Sequence, residues 1–251
     1  MVSGMESVLV SQSYWDAQYQ LGQFNILPTE HPLRRWIESH TPRGDGDCLE
    51  IGCYPGGFLA VFGELGYRLN GLDLTPGVEK DLPEWLGMHG YRLGEFLQQD
   101  FLTSHRNSPY DLVCSFGFME HFADWESILH KHMDLVALNG YLVISVPNFR
   151  GFVQHLLHYL LDRKNLKIHN VKAMNPKIWE KIVINRGFEI IKNGYFGEFH
   201  FWVDHQKRNP LQRLLLRGIM RLIPKLRKLP PNIPFYAPYC GLIAKRVKGD
   251  K

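Results

Sequence analysis

His121 follows directly on an apolar run, 110–116, and stands beside Glu120. An imidazole titrates near neutrality, so His121 is the candidate general base for an acceptor that must lose a proton. The alternative role is structural, capping the next helix or packing under its loop. Three more carboxylates fall at telling places. Glu50 precedes a glycine-rich turn, Asp73 ends the next apolar run, and Asp100 stands before Phe101. An acid about 20 residues beyond a glycine turn can accept both hydroxyls of a ribose. His169, His200 and His205 lie in the region expected to cover an acceptor. No histidine pair has helical ligand spacing with a third ligand. His155 and His158 share a helix face without an acid, and Cys48, Cys53, Cys114 and Cys240 form no C-x-x-C pair, so no metal is expected.

The elements that must position these groups follow from the pattern of apolar runs. Cys48 to Ile51 reads as a buried strand that breaks at Gly52-Cys53-Tyr54-Pro55-Gly56-Gly57 and resumes as a helix. Glycine lets a ligand approach the backbone, and the helix start offers unpaired N–H groups. A dinucleotide fingerprint wants a second glycine where Tyr54 stands, so a pyrophosphate would meet a side chain. Glu50 would also repel a pyrophosphate but suits a ligand carrying an ammonium and a sulfonium. Strands at 67–73, 96–101, 110–116 and 141–146 alternate with helices at 76–89, 124–138 and 152–161, with Asp124 as an N-cap. That alternation predicts a doubly wound α/β fold, whose ligands lie at the carboxyl ends of the strands. Further helices are expected over 11–20, carrying Tyr14, Trp15 and Tyr19, over 30–39, and after Asn175-Pro176; strands are expected over 187–203 and 239–246.

The run Glu50-Ile51-Gly52-Cys53-x-x-Gly56-Gly57 followed by Asp73 resembles the class I S-adenosylmethionine-dependent methyltransferases over residues 45–148. Gly117-Phe118-Met119-Glu120-His121-Phe122 with Val146-Pro147-Asn148 resembles the bacterial small-molecule and surface-glycan members. Tyr54 departs from the family pattern, which has glycine there. The resemblance implies a seven-stranded, mostly parallel sheet whose last strand enters antiparallel, with an N-terminal helical lid and a C-terminal helical insertion. It implies S-adenosyl-L-methionine bound by Tyr14, Glu50, Gly52, Cys53, Gly56, Asp73, Leu74, Asp100, Phe101 and Phe116. Asp100 would receive the adenine amino group and Phe101 would pack on the ring. The acceptor would meet Tyr19, Glu120, Asn148, His169 and His200, with His121 catalytic. The implied reaction is methyl transfer to a small-molecule or glycan-type acceptor, with a sugar hydroxyl favoured. A catalytically silent, cofactor-binding scaffold is the alternative, and an NAD-type oxidoreductase is disfavoured by Tyr54 and Glu50.

The chain of 251 residues divides into a helical cap, 1–43, and a domain, 44–251, with a substrate cover at 150–175 and an insertion at 204–236. Net charge is only +4, which argues against nucleic acid. The segment 207–229 is more informative. Arg213, Arg217, Arg221 and Lys225 recur every fourth residue and line one helix face, while Leu211, Leu215, Ile219, Leu222 and Leu226 line another. Such a helix suits packing on the domain, an anionic membrane surface or an acceptor phosphate. With no signal-like start, no long apolar run and unpaired cysteines, the expected location is cytoplasmic, with peripheral contact at the inner membrane face.

Overall fold

The computed structural model describes residues 8–18, 24–104, 109–204 and 206–248; Tyr19 and His205 lie outside them. Helices α1 (Gln12–Gln18) and α2 (Pro32–His40) precede the sheet. Strands β1 (Asp47–Ile51), β2 (Arg68–Asp73), β3 (Leu93–Gln98), β4 (Tyr110–Phe116) and β5 (Val136–Pro147) alternate with α3 (Leu59–Glu64), α4 (Asp81–Met88) and α5 (Trp125–Asp134). Then come α6 (Phe152–Leu161), α7 (Arg163–Lys167), α8 (Pro176–Asn185), β6 (Phe188–Phe196), α9 (Pro210–Leu226) and β7 (Tyr239–Arg246).

The strand order is β3-β2-β1-β4-β5-β7-β6, with β7 antiparallel to both neighbours and the pairs β3-β2-β1-β4-β5 parallel. This is the seven-stranded sheet that the family resemblance implies. Its centre is buried on both faces, as parallel strands covered by helices must be. The two-residue period sorts β4 accordingly. Leu112 and Cys114 pack with Cys48, Leu59 and Phe62 on one face, while Val113 packs with Leu49, Leu129 and Met133 on the other.

Several local expectations shift. The 76–89 helix is a 3₁₀ turn at Pro76–Val78 followed by α4. The Asn139-Gly140 turn lies inside β5, where the pairing with β4 jumps and Asn139 takes φ 66°, so the strand starts at Val136. The strands expected over 187–203 reduce to β6. Beyond it, Phe199 and Phe201 are buried in a third apolar cluster with Leu161 and Ile223. Asp124 caps α5 by accepting from the Ser127 N–H, whereas Asn175 makes no side-chain capping bond at α8.

That third cluster docks the basic helix. Ile223 of α9 is buried, and Leu216, Ile219 and Leu226 pack beside it against α6. Asn209 and Gln212 close a reciprocal capping box at its start. Leu211, Leu214, Leu215 and Leu222 remain exposed next to Arg213, Arg217 and Arg221. The apolar residues expected on one face therefore divide between a docked edge and an open stripe.

Candidate active site

The carboxyl ends of β1, β2 and β4 open into a cavity of about 390 Å³. Gly52 leaves β1 at φ +72°, and a Cβ there would stand 2.7 Å from the Phe118 ring, so backbone and cleft wall meet closely only with glycine. Asp73, at the tip of β2, is held by two backbone N–H groups. Tyr54 donates to Oδ2 at 3.0 Å and Thr75 to Oδ1 at 2.8 Å. Each oxygen keeps a lone pair for a ligand. Burial pushes this carboxyl above its ordinary range, against those hydrogen bonds. Leu74, Asp100, Phe101 and Phe116 line the same cavity. Asp100 is fixed by accepting from the Leu102 N–H at 2.8 Å, and the buried Phe101 ring stands edge-on to Phe118. Gly52, Asp73, Leu74, Asp100, Phe101 and Phe116 are thus gathered as the sequence suggests.

Four expected cofactor residues sit elsewhere. Glu50 and Cys53 are buried beneath the turn. Glu50 accepts from the Leu59 N–H at the start of α3, its Oε2 has no partner, and burial followed by the charge of Asp73 pushes its carboxyl well up. Gly56 takes φ +86°, and a Cβ there would collide with Leu82, so this glycine serves packing under α4 rather than the cleft. Tyr14 lines a different cavity and donates its hydroxyl to Asp204 Oδ2 at 2.8 Å. Tyr54 also departs from expectation. Its side chain is buried against Phe24 and Gly77, not turned into the cleft, so it does not itself block a phosphate. Gly52 N–H donates to Leu72 O, and Gly56 N–H donates to Cys53 O, closing the turn around Tyr54.

The second cavity, of about 300 Å³, adjoins the first. Trp15, Phe116, Gly117 and His121 line both. The N-terminal segment forms the outer wall of the first: Val8 bridges to Phe122, the Leu9 N–H donates to His121 O at 2.8 Å, and Trp15 meets the His121 ring edge-on at 4.9 Å. Glu120 and His169 line the second cavity with His121. Nδ1 of His121 lies 2.9 Å from Ile168 O, and Nδ1 of His169 lies 2.8 Å from Asn165 O. A carbonyl only accepts, so each Nδ1 carries its proton and each Nε2 presents a lone pair. Burial lowers His121 to about 4 and His169 well below its ordinary value, so both are neutral near pH 7. Burial raises Glu120 to about 8, and neither of its oxygens has a partner.

Asn170 ties the two contributing segments together. Its N–H donates to Glu120 O, and its carboxamide donates to Phe122 O and Ala123 O.

Two expected acceptor residues are committed to the scaffold. Asn148 donates to Pro234 O and Ala237 O and accepts from the Gly151 N–H, anchoring the chain after β5. His200 stacks on Trp202, and its Nδ1 receives a hydrogen bond from Arg227 at 3.0 Å. Neither lines either of the two cavities. Trp202, Asp204 and Tyr239 do line the second cavity and were not singled out in the sequence.

The nucleotide-type cleft, the seven-stranded order and the reversed last strand together define the class I S-adenosylmethionine-dependent methyltransferase fold. A family model described as a methyltransferase domain matches residues 29–193, and the chain belongs to that family. The ubiquinone biosynthesis O-methyltransferase of Thiobacillus denitrificans is 25% identical over 146 residues, which cover 55% of this chain and 60% of that protein. This chain thus spans about 60% of the length of the curated relatives it matches. Among solved structures, a Bacillus halodurans protein classed as a methyltransferase superposes with TM-score 0.59 at 15% identity, covering 86% of this chain and 99% of that one. The N-methyltransferase NodS of Bradyrhizobium japonicum, solved with S-adenosyl-L-homocysteine, gives TM-score 0.52 at 12% identity, over 95% and 100% of the two chains.

Proposed function

We propose that this protein transfers the methyl group of S-adenosyl-L-methionine to a hydroxyl oxygen of a small-molecule or sugar-linked acceptor. The carrying observation is the wall of Trp15, Phe116, Gly117 and His121 that two adjoining cavities share. In-line displacement needs donor sulfur, methyl carbon and acceptor oxygen on one line, and two cavities meeting at one wall supply that placement.

The residues of the first cavity fit the donor. Asp73 has lone pairs for the ribose hydroxyls, Asp100 can accept from the adenine amino group, and Leu74 and Phe101 offer apolar faces to the ring. The bound donor supplies an already activated methyl group. The protein's part is to orient the acceptor, exclude water through the 8–15 segment and remove the hydroxyl proton.

The second cavity supports an oxygen acceptor. Its polar end is the Glu120–His121–His169 set, with His121 on the joint wall, and its sides carry Trp15, Trp202 and Tyr239 beside Asp204. Flat aromatic faces with a carboxylate at their edge suit a sugar ring. The O-methyltransferase activity in the name of the Thiobacillus relative points the same way.

The exposed leucine stripe of α9 beside three arginines favours peripheral contact with an anionic membrane, which would deliver a lipid-linked acceptor. No helix among the described residues is long and apolar enough to cross a membrane. Incubation with methyl-labelled donor and a panel of hydroxylated acceptors tests the reaction. Label appearing in an ether product supports it, and titration showing no binding of S-adenosylhomocysteine to folded protein would rule it out.

A further inference from the structure

Glu120, His121 and His169 present three ligand atoms within 4.8 Å of one another at the polar end of the second cavity. Each atom is an electron-pair donor. The two Nδ1 positions are occupied by hydrogen bonds to Ile168 O and Asn165 O, which leaves both Nε2 atoms as acceptors. Both Glu120 oxygens are buried with no partner. His121 Nε2 stands 3.9 Å from Glu120 Oε1, too far for a shared proton to bridge them. Two Nε2 lone pairs converging on a carboxyl whose oxygens are both buried and unpaired are costly in a buried site.

We propose that this set binds a divalent first-row transition ion of the zinc type, with its open position facing the acceptor cavity. Two neutral imidazoles and one carboxylate form a known catalytic zinc donor set, which leaves one position open for water or substrate. The backbone carbonyls behind both rings are the usual outer partners of metal-bound histidine, fixing tautomer and orientation. Bonds of about 2.0–2.2 Å would draw the three groups, now within 4.8 Å of one another, in around the ion. His121 then acts as a ligand, not a free base.

The consequence rests on the methyl-transfer reading above. An acceptor hydroxyl replaces water at the open position, and the ion lowers its pKa as it does that of bound water. The proton passes to water. An oxygen lone pair forms the new O–C bond, and the C–S electron pair returns to sulfur, leaving a neutral thioether. Acceptors would therefore be hydroxyl compounds able to reach the ion.

The test is titration of chelator-stripped, full-length protein with Zn²⁺ and with Mn²⁺ against a chromophoric competitor, for wild type, Glu120→Gln and His169→Ala. S-adenosylhomocysteine binding is measured on each in parallel. One ion per chain in wild type, lost in both variants while S-adenosylhomocysteine binding persists, is the expected result. A wild type that binds neither ion stoichiometrically, or variants that bind as wild type does, would overturn the site. Ion binding without S-adenosylhomocysteine binding would instead remove the methyl-transfer reading and leave the ion in place.

Discussion

Replacing Asp73 by Asn tests the donor cleft most sharply. Its carboxylate accepts from the N–H groups of Tyr54 and Thr75, and its remaining lone pairs face the cavity. An amide keeps one acceptor oxygen and turns its NH₂ toward a backbone donor, so one turn bond and one ribose bond are lost together. Hydrogen bonds to a charged acceptor contribute about 1.5–3 kcal/mol each. Losing the one aimed at the ribose and weakening the other gives about 3 kcal/mol, or about 100-fold in Kd. Isothermal titration with S-adenosylhomocysteine measures this, with circular dichroism and a melting curve to verify folding. A folded Asp73→Asn protein that binds with wild-type affinity would refute the assignment of this carboxylate to the ribose.

Gly52→Ala should weaken donor binding as well, because a left-handed backbone costs a side chain about 1–2 kcal/mol and the new methyl displaces Phe118 from the cleft wall; titration reads it. His132 is buried against Phe101, and burial lowers it to about 4. The unfolded chain takes up that proton first, so the stability His132 contributes is present above pH 6.5 and is lost as pH falls toward 4. The difference is about 3 kcal/mol. Denaturant melts across that range should show a flatter acid limb for His132→Leu, and an unchanged limb would contradict the buried neutral ring. Changing Arg213, Arg217 and Arg221 together to Glu should abolish flotation with phosphatidylglycerol vesicles while leaving S-adenosylhomocysteine binding intact; equal flotation would place the contact elsewhere.

The alternation of apolar runs made the sheet legible, because the central strands β1, β2 and β4 are buried on both faces along most of their length. Asp73 was legible for a related reason, since it ends β2; Asp100 and Phe101 follow in the turn just beyond β3, which ends at Gln98 rather than running over 96–101. What the sequence hid was direction and long-range contact. Glu50 and Tyr54 are at the right place in the turn but face the core, and the spacing of residues says nothing about which way a turn's side chains go. Asn148 and His200 are polar residues in the right segments whose groups are consumed by backbone carbonyls and by Arg227. The pairing of Val8 and Leu9 with the 121–122 backbone joins segments far apart in the chain. So does the meeting of His169 with Glu120. The adjacent Glu-His pair was the only local trace of that cluster.

A crystal structure with S-adenosylhomocysteine, with its sulfur located by anomalous scattering, tests the central claim most directly. The account predicts the ribose at Asp73 and the sulfur at the wall shared by Phe116, Gly117 and His121, facing the second cavity. A sulfur lying away from that wall, or a nucleoside bound outside the Asp73 cleft, would contradict it.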